Sequence, residues 1–171
     1  TFRNATPLVY GTTGETITAF HNVGHYNPAA NRFLFGGGSY AGTGDYNQKW
    51  FMLNPNLTIT RLDDSPMRTW LAIPTPVVMS VNNDNPDHKC CTTYIPGQAK
   101  SVFFHQDGNI YILDPFAAPG SQWTVRSGAM SGDPNNGNQD DRWCCALPDH
   151  GCIMVGHWGA GGTSKLRLWK P

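Results

Sequence analysis

One pattern occurs three times along this chain: a turn, an apolar strand, a short loop, a second apolar strand and a closing proline. Its clearest copy spans residues 26–55, where Phe33-Leu34-Phe35 runs into three glycines and Trp50-Phe51-Met52-Leu53 ends at Asn54-Pro55. The closing prolines are Pro55, Pro115 and Pro171, roughly 60 residues apart. Such a repeat limits the fold strongly, because each copy must form one supersecondary unit that stacks on its neighbours.

The other two copies are weaker but keep the same order. The second has Ser101–Phe104 and Ile110–Leu113, and the third has Cys152–Gly156 and Leu166–Trp169. His21–Tyr26 reads as the first strand of the clearest copy, so each unit holds about four short strands. Four strands in a period of roughly 40 to 60 residues predict an all-β fold of the β-propeller type. The chain is then one propeller segment with units at 1–20 (partial), 21–65, 66–130 and 131–171 (partial).

Several of these residues resemble kelch-type propeller sequence. Phe33-Leu34-Phe35-Gly36-Gly37 matches the apolar strand that runs into a double glycine. Tyr111-Ile112-Leu113-Asp114-Pro115 and Gln122-Trp123-Thr124 match the second strand with its turn and the outer strand with its Trp. The alignment puts His105-Gln106 and Gly156-His157 at the glycine pair of the later units, and Ile59 or Thr60 at the outer Trp of the first. The resemblance covers most of the chain and implies four-stranded blades whose first strands line a central channel.

About three blades of strands are present, and both ends of the chain fall in mid-blade. Propellers close with four to eight blades, and an open arc exposes two sheet edges. We therefore expect a partial propeller that is completed either by further polypeptide or by copies of the same chain.

Two groups of residues are candidates for ligand binding. The predicted channel-lining residues are His21, His25, His88, Lys89, Asp141 and Arg142; they form either a polar site for a sugar or small anion or an ordinary solvated channel mouth. The Asp- and Asn-rich loops 82–87 and 133–141 should share one face with the loop 39–46, and loops on a rigid scaffold often carry binding sites. On this face we select Tyr40, Asp45, Asp84, Asp87 and Trp158, with Tyr40 and Trp158 suited to stacking on a sugar ring.

Cofactor and cysteine signals are weaker. Oxygen ligands at alternating positions in Asp133, Asn135 and Asp141 would suit Ca²⁺, although such loops are also ordinary turns, and no other cofactor is predicted. Five cysteines are present, which excludes full pairing within the chain. Cys91 and Cys145 have the same strand parity, so contact between neighbouring units and simple burial both remain open.

Charge and composition limit which partners and which location suit this chain. Twelve basic and twelve acidic residues and a pI near 6.9 favour neither a nucleic acid nor an anionic membrane as partner. The chain has no run of 18 apolar residues that would span a membrane. Asn4-Ala5-Thr6 and Asn56-Leu57-Thr58 are possible glycosylation sites and indicate an extracellular glycoprotein.

These observations favour a non-catalytic, extracellular binding or structural module that contacts a protein or glycan or packs in an assembly. The alternative is part of a copper-radical oxidase, since the resemblance extends to galactose-oxidase-like kelch repeats. Such an enzyme would need a Tyr–Cys pair, a second Tyr and two His around copper, and only His21, His25 and Tyr26 offer candidates. An enzyme is the less favoured class, because the chain also lacks a G-x-S-x-G motif.

Overall fold

The computed structural model describes residues 20–39, 49–67, 90–105, 108–128, 142–158 and 164–171. Within these ranges the chain forms eleven strands, with short 3-10 turns such as the one at Pro148–His150, which confirms the predicted all-β character. No helix long and apolar enough to cross a membrane occurs in these ranges.

The strands form three antiparallel sheets, and in each sheet every strand pairs with the next one along the chain. Sheet one contains β1 (Phe20–Asn27), β2 (Arg32–Ser39), β3 (Trp50–Leu53) and β4 (Ile59–Arg61). Sheet two contains β5 (Cys90–Tyr94), β6 (Ser101–His105), β7 (Ile110–Leu113) and β8 (Trp123–Arg126). Sheet three contains β9 (Arg142–Leu147), β10 (Cys152–Trp158) and β11 (Ser164–Trp169).

The three sheets share one strand register. In each, a residue near the start of the second strand pairs with one near the end of the first strand and with the last residue of the third. The equivalent triples are Tyr26-Phe33-Leu53, Tyr94-Ser101-Leu113 and Ala146-Ile153-Trp169. Sequence repetition is therefore matched by structural repetition.

The first hairpin turn is also repeated. The loops 28–31 and 148–151 each begin with proline and end with a residue in the left-handed region, Asn31 at φ 50° and Gly151 at φ 59°. Asn and Gly adopt that region at the lowest steric cost, so both turns can close tightly.

The register corrects one part of the sequence alignment. Gly36 pairs with Trp50, and its equivalents are Phe104, which pairs with Ile110, and Gly156. Phe104-His105, rather than His105-Gln106, therefore occupies the position of the glycine pair in sheet two. Ile59 pairs with Leu53 as Trp123 pairs with Leu113, so Ile59 takes the place of the outer Trp in sheet one.

The sheets are stacked face to face. Because side chains alternate along a strand, each sheet has two faces. We call the face of sheets one and two that is turned toward the following sheet the forward face, and the opposite face the backward face. In sheet three the forward face is the one at the same register positions. The first shared core joins Leu34, Trp50 and Met52 of sheet one to Phe103, Tyr111 and Leu113 of sheet two. The second joins Val102, Phe104, Ile110 and Ile112 of sheet two to Ile153 and Val155 of sheet three.

The first strands of the sheets are neighbours: β1 lies beside β5, and β5 lies beside β9. The first strands of neighbouring sheets therefore lie next to each other. None of the sheets in the described ranges closes on itself.

The cysteines do not meet in the way that strand parity suggested. Cys91 is buried in the core between sheets two and three, and Cys144 packs against that core. Cys145, whose parity matches that of Cys91, is exposed on the opposite face. Equal parity places two residues on the same side of their own sheets, whereas contact across a stack requires opposite sides.

Asp63, which follows β4, connects the outer parts of sheets one and two. One oxygen of its carboxylate, Oδ2, accepts hydrogen bonds from the backbone N–H groups of Gly120 at 2.8 Å and Gln122 at 3.1 Å. Its own N–H donates to Oε1 of Gln122 at 2.7 Å, and its carbonyl oxygen accepts from the indole N–H of Trp123 at 3.1 Å. Four hydrogen bonds thus hold the end of β4 to the loop before β8.

We expect Asp63→Ala to lower the free energy of unfolding by about 2 kcal/mol, because two N–H donors lose a charged acceptor. Chemical denaturation monitored by Trp fluorescence measures this change. The matched control is Asp64→Ala, which removes an exposed carboxylate paired with Arg61 and should cost about 0.5 kcal/mol or less. Equal losses in the two variants would contradict a connecting role for Asp63.

Candidate functional site

Many of the residues selected from the sequence lie outside the described ranges. For the loop face and channel these are Tyr40, Asp45, Asp84, Asp87, His88 and Lys89. The same holds for the calcium candidates Asp133, Asn135 and Asp141 and for the glycosylation candidate Asn4. They remain predictions from the sequence.

Three further candidates lie on strands. His21 is the second residue of β1, and Arg142 is the first residue of β9, opposite His157. Both are on first strands, as predicted. Trp158 was predicted to lie in a loop but is the last residue of β10, where it pairs with Ser164 of β11.

His25 is the candidate whose surroundings are best defined. Its ring lies between sheets one and two, with Nε2 2.7 Å from Oγ of Ser101 and Nδ1 3.3 Å from Oγ1 of Thr92. Thr92 Oγ1 donates to the carbonyl oxygen of Val102 at 3.0 Å, and so it can accept from Nδ1–H. Ser101 then donates to Nε2, and the hydrogen-bond pattern assigns a neutral His25 with its proton on Nδ1.

Burial agrees with this assignment, since desolvation lowers the pKa of His25 from 6.5 to about 4. The edge of the Phe103 ring completes its surroundings, with the two ring centroids 6.4 Å apart. A His–Ser pair can activate a nucleophile, but Ser101 is fully buried, and the group on the other ring nitrogen is a neutral hydroxyl rather than a carboxylate. His25 therefore connects sheet one to sheet two through two hydroxyl groups.

Asn27 makes a second polar connection at the same interface, and it is fully buried. Its Nδ2 donates to the carbonyl oxygens of Gln98 at 3.3 Å and Lys100 at 3.0 Å. Its Oδ1 accepts from the N–H of Ala30 at 3.1 Å, within the first hairpin turn. The amide is thus satisfied on both sides, and it fixes the first hairpin of sheet one against that of sheet two.

The hairpin end of the stack carries an arginine–aromatic pair and an ion pair. The guanidinium of Arg32 lies 5.9 Å from the centroid of the Phe116 ring, which is 53% exposed. Lys100 Nζ lies 3.3 Å from a carboxylate oxygen of Asp114 beside it. β2 and β4 both finish at the opposite end of sheet one.

The glycosylation candidate Asn56 lies in the exposed loop between β3 and β4. Its Oδ1 accepts from the backbone N–H of Thr58 at 3.3 Å and from the hydroxyl of the same residue at 2.7 Å. The loop is thus held by the two residues that define the sequence triplet.

Sequence reasoning missed Asn27, Thr92, Ser101 and Asp63 as connecting residues. Asn27 had a weak signal, since Asn before Pro often closes a turn. The other three have no local signature, because their partners across the interface between sheets one and two lie 57 to 76 positions away in the sequence.

No group of three or more His, Cys, Asp or Glu that could hold a metal ion occurs in the part of the chain that the structure describes. Comparisons with protein-family models, with curated proteins and with solved structures found no match.

Proposed function

We propose that this chain is a kelch-like propeller segment that acts as a non-catalytic binding module and contacts a protein or glycan through loops at one end of the sheet stack. The observation that carries the proposal is the repeated geometry: three sheets with one register, stacked face to face, with their first strands side by side. Radial repetition of short antiparallel sheets is the arrangement of a propeller blade series.

Such a scaffold supports binding because it is rigid where the sheets meet. The buried amide of Asn27, the His25 ring and the Asp63 carboxylate each join sheet one to sheet two through specific hydrogen bonds. A scaffold of this kind fixes the points where its loops begin and end, and loops on such scaffolds often carry binding sites.

The end of the stack opposite the first hairpins is the proposed working surface. β2 and β4 finish at this end of sheet one, and the chain enters β5 and β9 from it, so the connections that contain Tyr40, Asp45, Asp84 and Asp87 begin or end there. Trp158 ends β10 at the same edge of sheet three. Aromatic and acidic side chains together suit a glycan, whose rings stack on apolar faces while its hydroxyls donate hydrogen bonds.

The test is a glycan array followed by titration calorimetry with any glycan that binds. We expect Tyr40→Ala and Trp158→Ala each to weaken binding by roughly 10- to 30-fold, which corresponds to about 1.4 to 2 kcal/mol. The control is Phe116→Ala, which removes an exposed aromatic ring at the hairpin end and should leave affinity unchanged.

If Phe116→Ala alone lost binding, the ligand would bind at the hairpin end of the stack and not at the proposed working surface. The proposal of a binding module would be wrong if the chain bound no glycan and the immobilised chain captured no protein. Retention of copper with a Tyr-derived radical absorption would instead favour the oxidase alternative.

A further inference from the structure

The loop between β3 and β4 contains an acceptor triplet for N-linked glycosylation, Asn56-Leu57-Thr58. The triplet supplies what this modification needs: a side-chain amide, a hydroxyl group two residues later and a middle residue that is not proline. All three residues are exposed, and Leu57 is 63% exposed. An enzyme can therefore approach the triplet from solvent.

The amide and the hydroxyl of the triplet are in direct contact. Oδ1 of Asn56 accepts from the Thr58 hydroxyl at 2.7 Å and from the Thr58 backbone N–H at 3.3 Å. Both donors contact the oxygen side of the planar amide, so its nitrogen, Nδ2, is turned away from Thr58. Nδ2 is the atom to which a sugar is attached, and it donates to no protein group in the part of the chain that the structure describes.

Hydrogen bonds within the loop hold this arrangement. The N–H of Asn54 donates to the carbonyl oxygen of Thr58, and the N–H of Leu57 donates to the carbonyl oxygen of Asn54, both at 2.9 Å. The side-chain nitrogen of Asn54 donates to the Thr58 hydroxyl at 3.1 Å, so this hydroxyl keeps its own proton for Asn56. Leu57 adopts the left-handed region at φ 63°, which is uncommon for a bulky residue, and this turns the chain so that Thr58 faces Asn56.

The loop lies at the hairpin end of sheet one. β1 and β3 run in the same direction in this antiparallel sheet, so the turn 28–31 and the loop after β3 are at the same end. The proposed working surface is at the other end. A sugar on Asn56 is therefore attached away from that surface.

We propose that Asn56 is an N-glycosylation site. The donor is an oligosaccharide carried on a polyprenyl diphosphate. A bond forms between Nδ2 and C1 of the first sugar, the bond between C1 and the diphosphate oxygen breaks, and Nδ2 releases one proton, so nothing is oxidised or reduced. The proposal places the chain in a secretory compartment, and it does not depend on which ligand the loops bind.

Secretion of the full chain, behind a cleavable secretion signal, from a eukaryotic cell that performs N-glycosylation tests the proposal. Peptide N-glycosidase converts a glycosylated asparagine to aspartate, and peptide mass spectrometry of the secreted protein locates that change. We expect the change at Asn56 in most molecules. Asn56→Gln should lose it completely, because the longer side chain is not an acceptor.

Thr58→Ser and Thr58→Val form a matched pair, because serine keeps the hydroxyl and valine keeps the branched shape without it. Thr58→Ser should retain the glycan and Thr58→Val should lose it. Asn4→Gln removes the other triplet and should leave Asn56 glycosylated. Thermal unfolding checks that each secreted variant is folded, and Thr58→Ala replaces Thr58→Val if the latter is not.

Two results would overturn the proposal: an unmodified Asn56 in the secreted wild-type protein, or a glycan that remains on Asn56 in Thr58→Val. The occupancy of Asn56 is read from the peptide itself. A failure of the proposed ligand binding would therefore leave this result unchanged, and the two proposals can be judged separately.

Discussion

Replacing Trp50 with alanine is expected to lower the free energy of unfolding by about 3 to 5 kcal/mol, the range for removing a buried aromatic residue. Trp50 is fully buried where sheets one and two meet. Its ring centroid lies 4.8 Å from that of Phe103 and 6.0 Å from that of Trp123, both in edge-to-face contact. Phe103 and Trp123 also pack on each other, with 5.2 Å between their ring centroids, so removing the Trp50 ring takes away one member of a three-ring cluster.

Two further variants show how much of the Trp50→Ala effect comes from lost packing. One tests the loss of the indole N–H, and the other tests the loss of an aromatic side chain outside the core. The indole N–H of Trp50 is buried without a hydrogen-bond partner, so Trp50→Phe should cost much less than Trp50→Ala. Trp143→Ala removes a tryptophan that is 48% exposed and should cost about 1 kcal/mol or less. Denaturant unfolding at low protein concentration measures all three. A Trp50→Ala loss no larger than that of Trp143→Ala would mean that sheets one and two do not share a core.

The second large effect concerns acidic pH. Because burial lowers the pKa of His25 from 6.5 to about 4, the unfolded chain takes up a proton at this residue in a range where the folded chain does not. The free energy of unfolding should therefore fall as the pH drops from about 6.5 to about 4, and this contribution should be constant above pH 7. The loss reaches at most about 3 to 4 kcal/mol, given about 1.36 kcal/mol for each pKa unit.

Carboxylates also titrate near the lower end of this range, so the prediction is a difference between variants. His25→Gln should remove the part of the pH dependence between pH 6.5 and pH 4, and it should also lower stability at pH 7 because the contacts with Ser101 and Thr92 change. The matched control is His150→Gln, which changes an exposed histidine in the 3-10 turn at Pro148–His150. Identical pH profiles for His25→Gln and wild type would show that His25 is not buried as a neutral ring.

Much of the fold could be predicted from the sequence because the repeat is carried by local patterns. Apolar runs such as Phe33-Leu34-Phe35 and Ile110–Leu113 coincide with strands β2 and β7, and proline marks the same turn in each unit. The alignment slipped by one residue at His105, since Phe104 replaces the expected glycine and local pattern cannot distinguish neighbouring registers there.

The candidate site was less accessible to sequence reasoning. His25 was selected as a channel residue, and its strand was placed correctly, but its partners belong to β5 and β6 and are far away in sequence. The orientation of the His25 ring depends on hydrogen-bond partners in the neighbouring sheet. The same reason explains why Cys144, and not Cys145, reaches the core around Cys91.

The sequence by itself determined the all-β class, the order of the strands in the described sheets and the positions of the turns between them, because these depend on alternating polarity and on Pro, Gly and Asn at fixed points. The tertiary structure alone decided which face of each sheet is covered. Stacking matches the forward face of one sheet with the backward face of the next, and this makes Trp50 a buried core residue while its equivalent in sheet three, Leu166, stays exposed. The burial of a side chain depends on which sheet packs against it, and this cannot be deduced from the residues of its own strand.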